Sequence, residues 1–153
     1  MTNRSETEAL IRNYLEACNS GNIERMLEYV SEDITHDVNQ GERRHGKSRF
    51  HAFIARMAHH YQEELTGIQI LVSEDGTRAA AEYNVAGTYK ETEPGLPPAH
   101  GETYQMPMGV FFAIDNAAIT RLTSYYNLTD WIMQVTGNSL PEAQQEPQNE
   151  PPA

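Results

Sequence analysis

Apolar residues recur at three- and four-residue spacing over the first sixty or so positions, then at two-residue spacing, and the period changes near residue 65. Leu10, Ile11, Tyr14, Leu15 and Cys18 make one face of an amphipathic helix over roughly residues 5–19. Ser5-Glu6-Thr7-Glu8 fits a capping box at its start. Asn19-Ser20-Gly21 ends it, and Asn22 can cap a second, shorter helix with Ile23, Met26, Leu27 and Val30 inward. Ser31-Glu32-Asp33 breaks to a first strand, Ile34–Asn39. Lys47–His60 reads as a third helix, with Phe50, Phe53, Ile54 and Met57 inward.

The second half alternates. Leu65–Val72 is a strand and Glu74-Asp75-Gly76 a turn with the glycine that tight hairpins favour. Thr77–Glu91 puts Ala79, Ala81, Tyr83, Val85 and Tyr89 on one face. The proline-rich 93–98 stretch is a hairpin loop. Glu102–Ile114 alternates again, and Pro107 within it predicts an edge or a bulge. Ala118–Leu128 is the last strand, and Thr129–Val135 a final helical turn. Helices first and an antiparallel meander afterwards predict an α+β fold. The expected form is a cone: a curved antiparallel sheet of about four to six strands wrapped around three N-terminal helices, with a pocket at the open mouth. Residues 1–136 are expected as one domain, and the polar, proline-rich 137–153 as a disordered tail.

Charge narrows the functions. The formal net charge of −11 argues against nucleic acid and anionic membrane surfaces. The single cysteine, Cys18, rules out an internal disulfide and a thiolate zinc site. No run approaches the ~18 apolar residues of a membrane span, so a soluble cytoplasmic protein is expected. His45, His51, His59, His60 and His100 form no metal-binding motif, and glycine-rich nucleotide loops are absent. No metal or cofactor is expected.

The candidate chemistry lies in Ile34–Gly46, where His36, Asp37 and Asn39 fall within four positions. On a strand either His36 or Asp37 faces the interior, not both. A carboxylate in an apolar interior is a candidate acid or base; the other reading is an edge strand with a wet polar face. His36 is the alternative base. Asn39 suits a substrate carbonyl or a turn before Gly41. Tyr83, Met106, Met108, Phe112, Tyr126 and Trp131 line a pocket or simply fill the core.

The stretch N-Y-L-E-A-C-N-S-G-N-I-E-R-M-L-E-Y-V-S-E-D-I-T-H-D, the following H-G-K and the ending R-L-T-S-Y-Y-N-L-T-D-W resemble the nuclear transport factor 2-like superfamily. The resemblance is to its SnoaL-like, ketosteroid-isomerase-related branch and covers roughly residues 5–135. It implies a homodimer through the outer sheet face. It also implies cofactor-independent proton transfer beside a carbonyl of a small, mostly apolar ligand, giving isomerisation or cyclisation. Tyr14 matches the helix-one tyrosine that binds the oxyanion, and Asp37 matches the base if one gap is allowed; without it Val38 falls there. Gly109 stands where the second oxyanion acid belongs, and Val30 and Ile54 replace supporting tyrosines. Those departures argue against steroid isomerisation itself. They keep open a non-catalytic ligand-binding or protein-interaction module.

Overall fold

The computed structural model describes residues 3–38 and 41–137. Asn39 and the stretch after Gly137, where the disordered tail was expected, lie outside the described residues. In chain order the elements are α1 (Arg4–Ser20), α2 (Ile23–Glu28), β1 (Val30–Asp37), β2 (Arg44–His45) and α3 (Lys47–His60). There follow β3 (Tyr61–Val72), β4 (Arg78–Tyr89), β5 (Thr103–Asp115), β6 (Ala118–Tyr125) and α4 (Leu128–Thr136). The fold is the expected α+β class, with helices against a curved, open, six-stranded sheet of order β2-β1-β6-β5-β4-β3.

Local chemistry sets the helix ends. Asn3, not the expected Ser5, caps α1: its Oδ1 accepts the Glu6 N–H at 2.9 Å. The Thr7 hydroxyl is committed elsewhere, donating to the Gly76 carbonyl at 2.6 Å. Gly76 closes the β3–β4 turn at φ +74, and a Cβ there would lie 2.5 Å from the Asn3 carbonyl carbon. Only glycine lets that turn close onto the start of α1. Asn22 caps α2 as expected, accepting from the Arg25 N–H.

Two details depart from the expected fold, and a third, Pro107, resolves as an edge rather than a bulge. The sheet is mixed, because β1 runs parallel to β6 while every other pairing is antiparallel. β1 already begins at Val30, so Ser31-Glu32-Asp33 belongs to the strand, in the stretch where the register to β6 shifts. Pro107 makes no bulge in the β4–β5 ladder. It lies where β5 has run past β6, whose pairing starts only at Gly109. Gln105 bonds Gln134 through its backbone on that free side, N–H to Oε1 at 2.9 Å and carbonyl from Nε2 at 2.8 Å. Pro107 shares the parity of Gln105, so its missing N–H falls on the edge, where proline is tolerated.

The alternating residues of β4 and β5 build the core. Val85, Tyr89, Val110 and Phe112 are buried against Ile11, Tyr14 and Leu15 of α1 and Phe50 and Ile54 of α3. β3 is longer than expected, starting at Tyr61, and its register to β4 shifts between Thr66 and Gln69. There the side chain of Asn19 in α1 holds the Leu65 backbone: its Oδ1 accepts from the Leu65 N–H at 2.7 Å and its Nδ2 donates to the Leu65 carbonyl at 3.1 Å. At the other end the buried His60 Nδ1 meets the Glu91 carbonyl at 2.8 Å, tying α3 to the β4–β5 loop.

Candidate functional site

The sheet, α3 and α4 surround a cavity of about 370 Å³, the size of small-molecule sites. Tyr61 and Glu63 of β3, Tyr104, Met106 and Met108 of β5, and Leu128 and Trp131 of α4 line it. Phe53, Arg56 and Met57 of α3 face them, with Arg44, Ser124 and Tyr126 between. Glu93, Pro94 and Leu96 bring the β4–β5 loop to its rim. Trp131 is buried in an aromatic cluster, edge-on to Tyr61, Tyr89 and Tyr104 at centroid distances of 5.8, 4.9 and 6.0 Å.

Four charged side chains interrupt this wall: Arg44, Arg56, Glu63 and Glu93. Glu93 accepts a short hydrogen bond from the Tyr61 hydroxyl and lies 3.7 Å from Arg56 Nε. The guanidinium groups of Arg44 and Arg56 lie 5.3 and 5.6 Å from the Phe53 ring centre, within cation–π range. Among the described residues, no three His, Cys, Asp or Glu side chains converge as a metal site.

Glu63 is held by one cross-strand row. It pairs with Gly87 on β4, which pairs with Tyr104 on β5. A Cβ on Gly87 would lie 2.3 Å from Tyr104 Cζ. The ring therefore lies across the glycine, and the Tyr104 hydroxyl reaches Glu63 Oε2 at 2.7 Å. Burial raises the Glu63 pKa, and the Tyr104 hydrogen bond opposes that rise. As a residue Glu63 remains accessible, but it lines the cavity. Its charge acts on Cys18, Tyr83, Tyr104 and Tyr126. Burial and the neighbouring Glu63 also raise the Tyr104 pKa, keeping that hydroxyl a donor.

The residues expected to carry catalysis lie outside this cavity. Alternation resolves in favour of His36, which is 2% exposed and faces the core with Ile34. It packs edge-on against Phe50 and Phe53 at 5.1 and 4.6 Å, its Nδ1 has no hydrogen-bond partner among the described residues, and burial lowers its pKa to about 4. Asp37 takes the other face, where Arg43 donates to both its oxygens at 2.8 and 3.0 Å and Thr123 donates at 3.1 Å. The Arg43 hydrogen bond holds its pKa below the ordinary range. An aspartate so paired joins β1 to β6 and to the segment before β2, and it does not line the cavity. Tyr14 is buried edge-on to Phe112 at 6.1 Å and is likewise absent from the lining. Burial raises its pKa and pushes the nearby Cys18 thiol up to about 12.

Of the expected substrate contacts, Met106, Met108, Tyr126 and Trp131 line the cavity. Phe112, fully buried, is core, and Tyr83 turns its hydroxyl to Met108 Sδ at 3.7 Å. Glu63 was missed because the strand was expected to start at Leu65. Its signal was present: Tyr61, Glu63 and Leu65 share a parity, which places one carboxylate between two inward apolar residues.

The SnoaL-like domain family matches residues 11–122. The chain shares 47% identity with a candidate polyketide cyclase of Pseudomonas putida KT2440, covering 88% of this chain and 98% of that one, with a TM-score of 0.83. A candidate polyketide cyclase of Xanthomonas campestris pv. campestris shares 45% identity, covering 88% and 99%, with a TM-score of 0.84. A candidate ketosteroid isomerase of Kribbella flavida DSM 17836 shares 23% identity over 83% and 82%, with a TM-score of 0.60, a likeness of fold. No functionally curated protein matches the chain. With a family match over most of its length, and a six-stranded curved sheet shared with these relatives, the chain belongs to the SnoaL-like domain family, of the nuclear transport factor 2-like fold.

Proposed function

We propose that the chain is a cofactor-independent isomerase or cyclase that moves a proton beside a carbonyl of a ligand held in the cavity, with Glu63 as the base. The observation that carries this reading is the Glu63–Gly87–Tyr104 row, a positioned carboxylate of raised pKa on the cavity wall. A raised pKa makes a carboxylate a stronger base while it stays ionised. Glu63 takes a proton from the carbon next to the carbonyl, leaving an enolate. Returning that proton to another carbon isomerises the ligand. Attack of the enolate carbon on a second carbonyl closes a ring, and the Glu63 proton passes to the new alkoxide. Similarity to the two candidate polyketide cyclases supports the cyclising variant. Asp37, Tyr14 and His36 are structural in this reading.

The test is generic base chemistry: deuterium exchange of aryl ketones followed by NMR, and ring opening of nitrobenzisoxazole. Glu63→Gln is expected to lose about 10²–10⁴-fold, the usual contribution of a positioned base. Asp37→Asn is expected to keep most of the rate and to lose only a few degrees of melting temperature. If Glu63→Gln reacts as fast as the wild type, Glu63 is not the base. If both probes bind and neither reacts, the non-catalytic ligand-binding reading replaces this one.

We also propose a cytoplasmic homodimer formed through the outer sheet face. Leu71, Phe111 and Tyr125 are exposed, and Phe111 and Tyr125 meet edge-on at 5.5 Å. No helix among the described residues is long and apolar enough to cross a membrane.

A further inference from the structure

The charges that line the cavity are not all paired with one another. Arg56 and Glu93 neutralise each other at 3.7 Å. Glu63 has a neutral partner, the Tyr104 hydroxyl. Arg44 makes no ion pair among the described residues, and its buried Nη1 has no hydrogen-bond partner. Its backbone is fixed by pairing with His36, and its guanidinium lies 5.3 Å from the Phe53 ring centre at the cavity wall. Buried polar groups are nearly always satisfied, and leaving a charged one unsatisfied is expensive. Asp37, on the strand paired with that of Arg44, is already occupied by Arg43 and Thr123, and the exposed Glu42, two residues before Arg44, makes no ion pair with it among the described residues.

We infer that Arg44 binds a carboxylate of the ligand, so that the cavity takes an amphiphilic carboxylic acid with an apolar body. This rests on the reading of the cavity as the ligand site and extends it to a substrate class. The planar guanidinium presents parallel N–H groups that match both oxygens of a carboxylate. The guanidinium lies within cation–π range of Phe53, which restricts its position at the wall. Met106, Met108 and Trp131 supply the apolar wall for the body. The chain's net charge of −11 opposes an approaching anion at long range, but that field is screened within ~10 Å at ordinary salt. The four charges that line the cavity sum to zero.

Trp131 is the single tryptophan, so intrinsic fluorescence reports binding at this wall. The probes are phenylbutyrate and phenylbutyramide, which share a skeleton and differ in charge. The wild type is expected to bind the acid at least about tenfold tighter, the effect of one charge-assisted bond. Arg44→Met should bring the acid down to the amide and leave the amide unchanged, and Arg44→Lys should fall between. Equal affinities in the wild type overturn the inference, as does binding of neither probe. So does a preference that survives Arg44→Met, or one lost in Arg56→Met instead. If Arg44→Met does not fold, the wild-type preference and Arg44→Lys decide. Proton transfer is not read here, so loss of the carboxylate preference leaves the Glu63 assignment untouched, and a dead Glu63 assay leaves this one intact.

Discussion

Glu63 and His36 are both ionisable groups whose pKa is shifted by burial, yet they do different things because their partners differ. Glu63 keeps a hydrogen-bond donor, Tyr104, and an opening to the cavity. His36 has two aromatic rings, an Nδ1 with no hydrogen-bond partner among the described residues, and no place in the cavity lining. Its effect is on stability. The folded pKa, about 4, lies below the ordinary 6.5, so the unfolded chain binds the proton more readily. Stability is therefore complete above pH ~6.5 and is lost as pH falls from there towards ~4, by up to about 3 kcal/mol. Glu63 works the other way in the same range, because its raised pKa disfavours folding as pH rises. The comparison must therefore be with a variant. His36→Leu is expected to lose less melting temperature than the wild type between pH 7 and 4.5, and parallel curves would show that His36 does not titrate as described.

At the scale of the element, the β3–β4–β5 ladder performs the positioning. Its register brings Glu63, Gly87 and Tyr104 side by side, and the glycine in the middle strand lets the tyrosine lie flat across it. Tyr104 has no room to swing aside, being 3% exposed and edge-on to Tyr61 and Trp131. Gly87→Ala should therefore destabilise the fold by about 1–3 kcal/mol, the usual cost of overpacking. In the folded fraction it should move Tyr104 off Glu63, and with the donor lost the pH at which Glu63 titrates should rise. Denaturant melts and the pH profile of nitrobenzisoxazole opening read the two effects separately. A Gly87→Ala chain with wild-type stability and profile would mean that the row does not position Glu63.

For the whole molecule, the sheet's two faces divide the work: the inner one carries core and cavity, and the outer one leaves Phe111 and Tyr125 exposed on neighbouring strands. An apolar outer face on an open sheet invites a partner. Light scattering is expected to give twice the 17.3 kDa of one chain, constant over dilution to micromolar concentration. Phe111→Arg with Tyr125→Glu should halve it without unfolding the chain. A mass of one chain in the wild type refutes the dimer.

Periodicity was enough to determine the class of fold. A helix over Lys47–His60 and the buried faces of β4 and β5 follow from apolar spacing, because burying one stripe or one face dominates the energetics of such elements. The mixed pairing of β1 with β6 was not legible, since it joins residues more than eighty positions apart and leaves no local pattern. Part of the cavity wall was legible: Met106 and Met108 as apolar residues of one strand parity, and Trp131 as an aromatic after the last strand. Which polar residues join them was not. His36 and Asp37 alternate on one strand whichever way it faces, and only packing against Phe50 and Phe53 decided it. Asp37 found Arg43, Glu63 found Tyr104, and Arg44 Nη1 found no hydrogen-bond partner among the described residues. A side chain's role depends on what the folded chain sets within a few ångströms of it, and those neighbours come from distant strands.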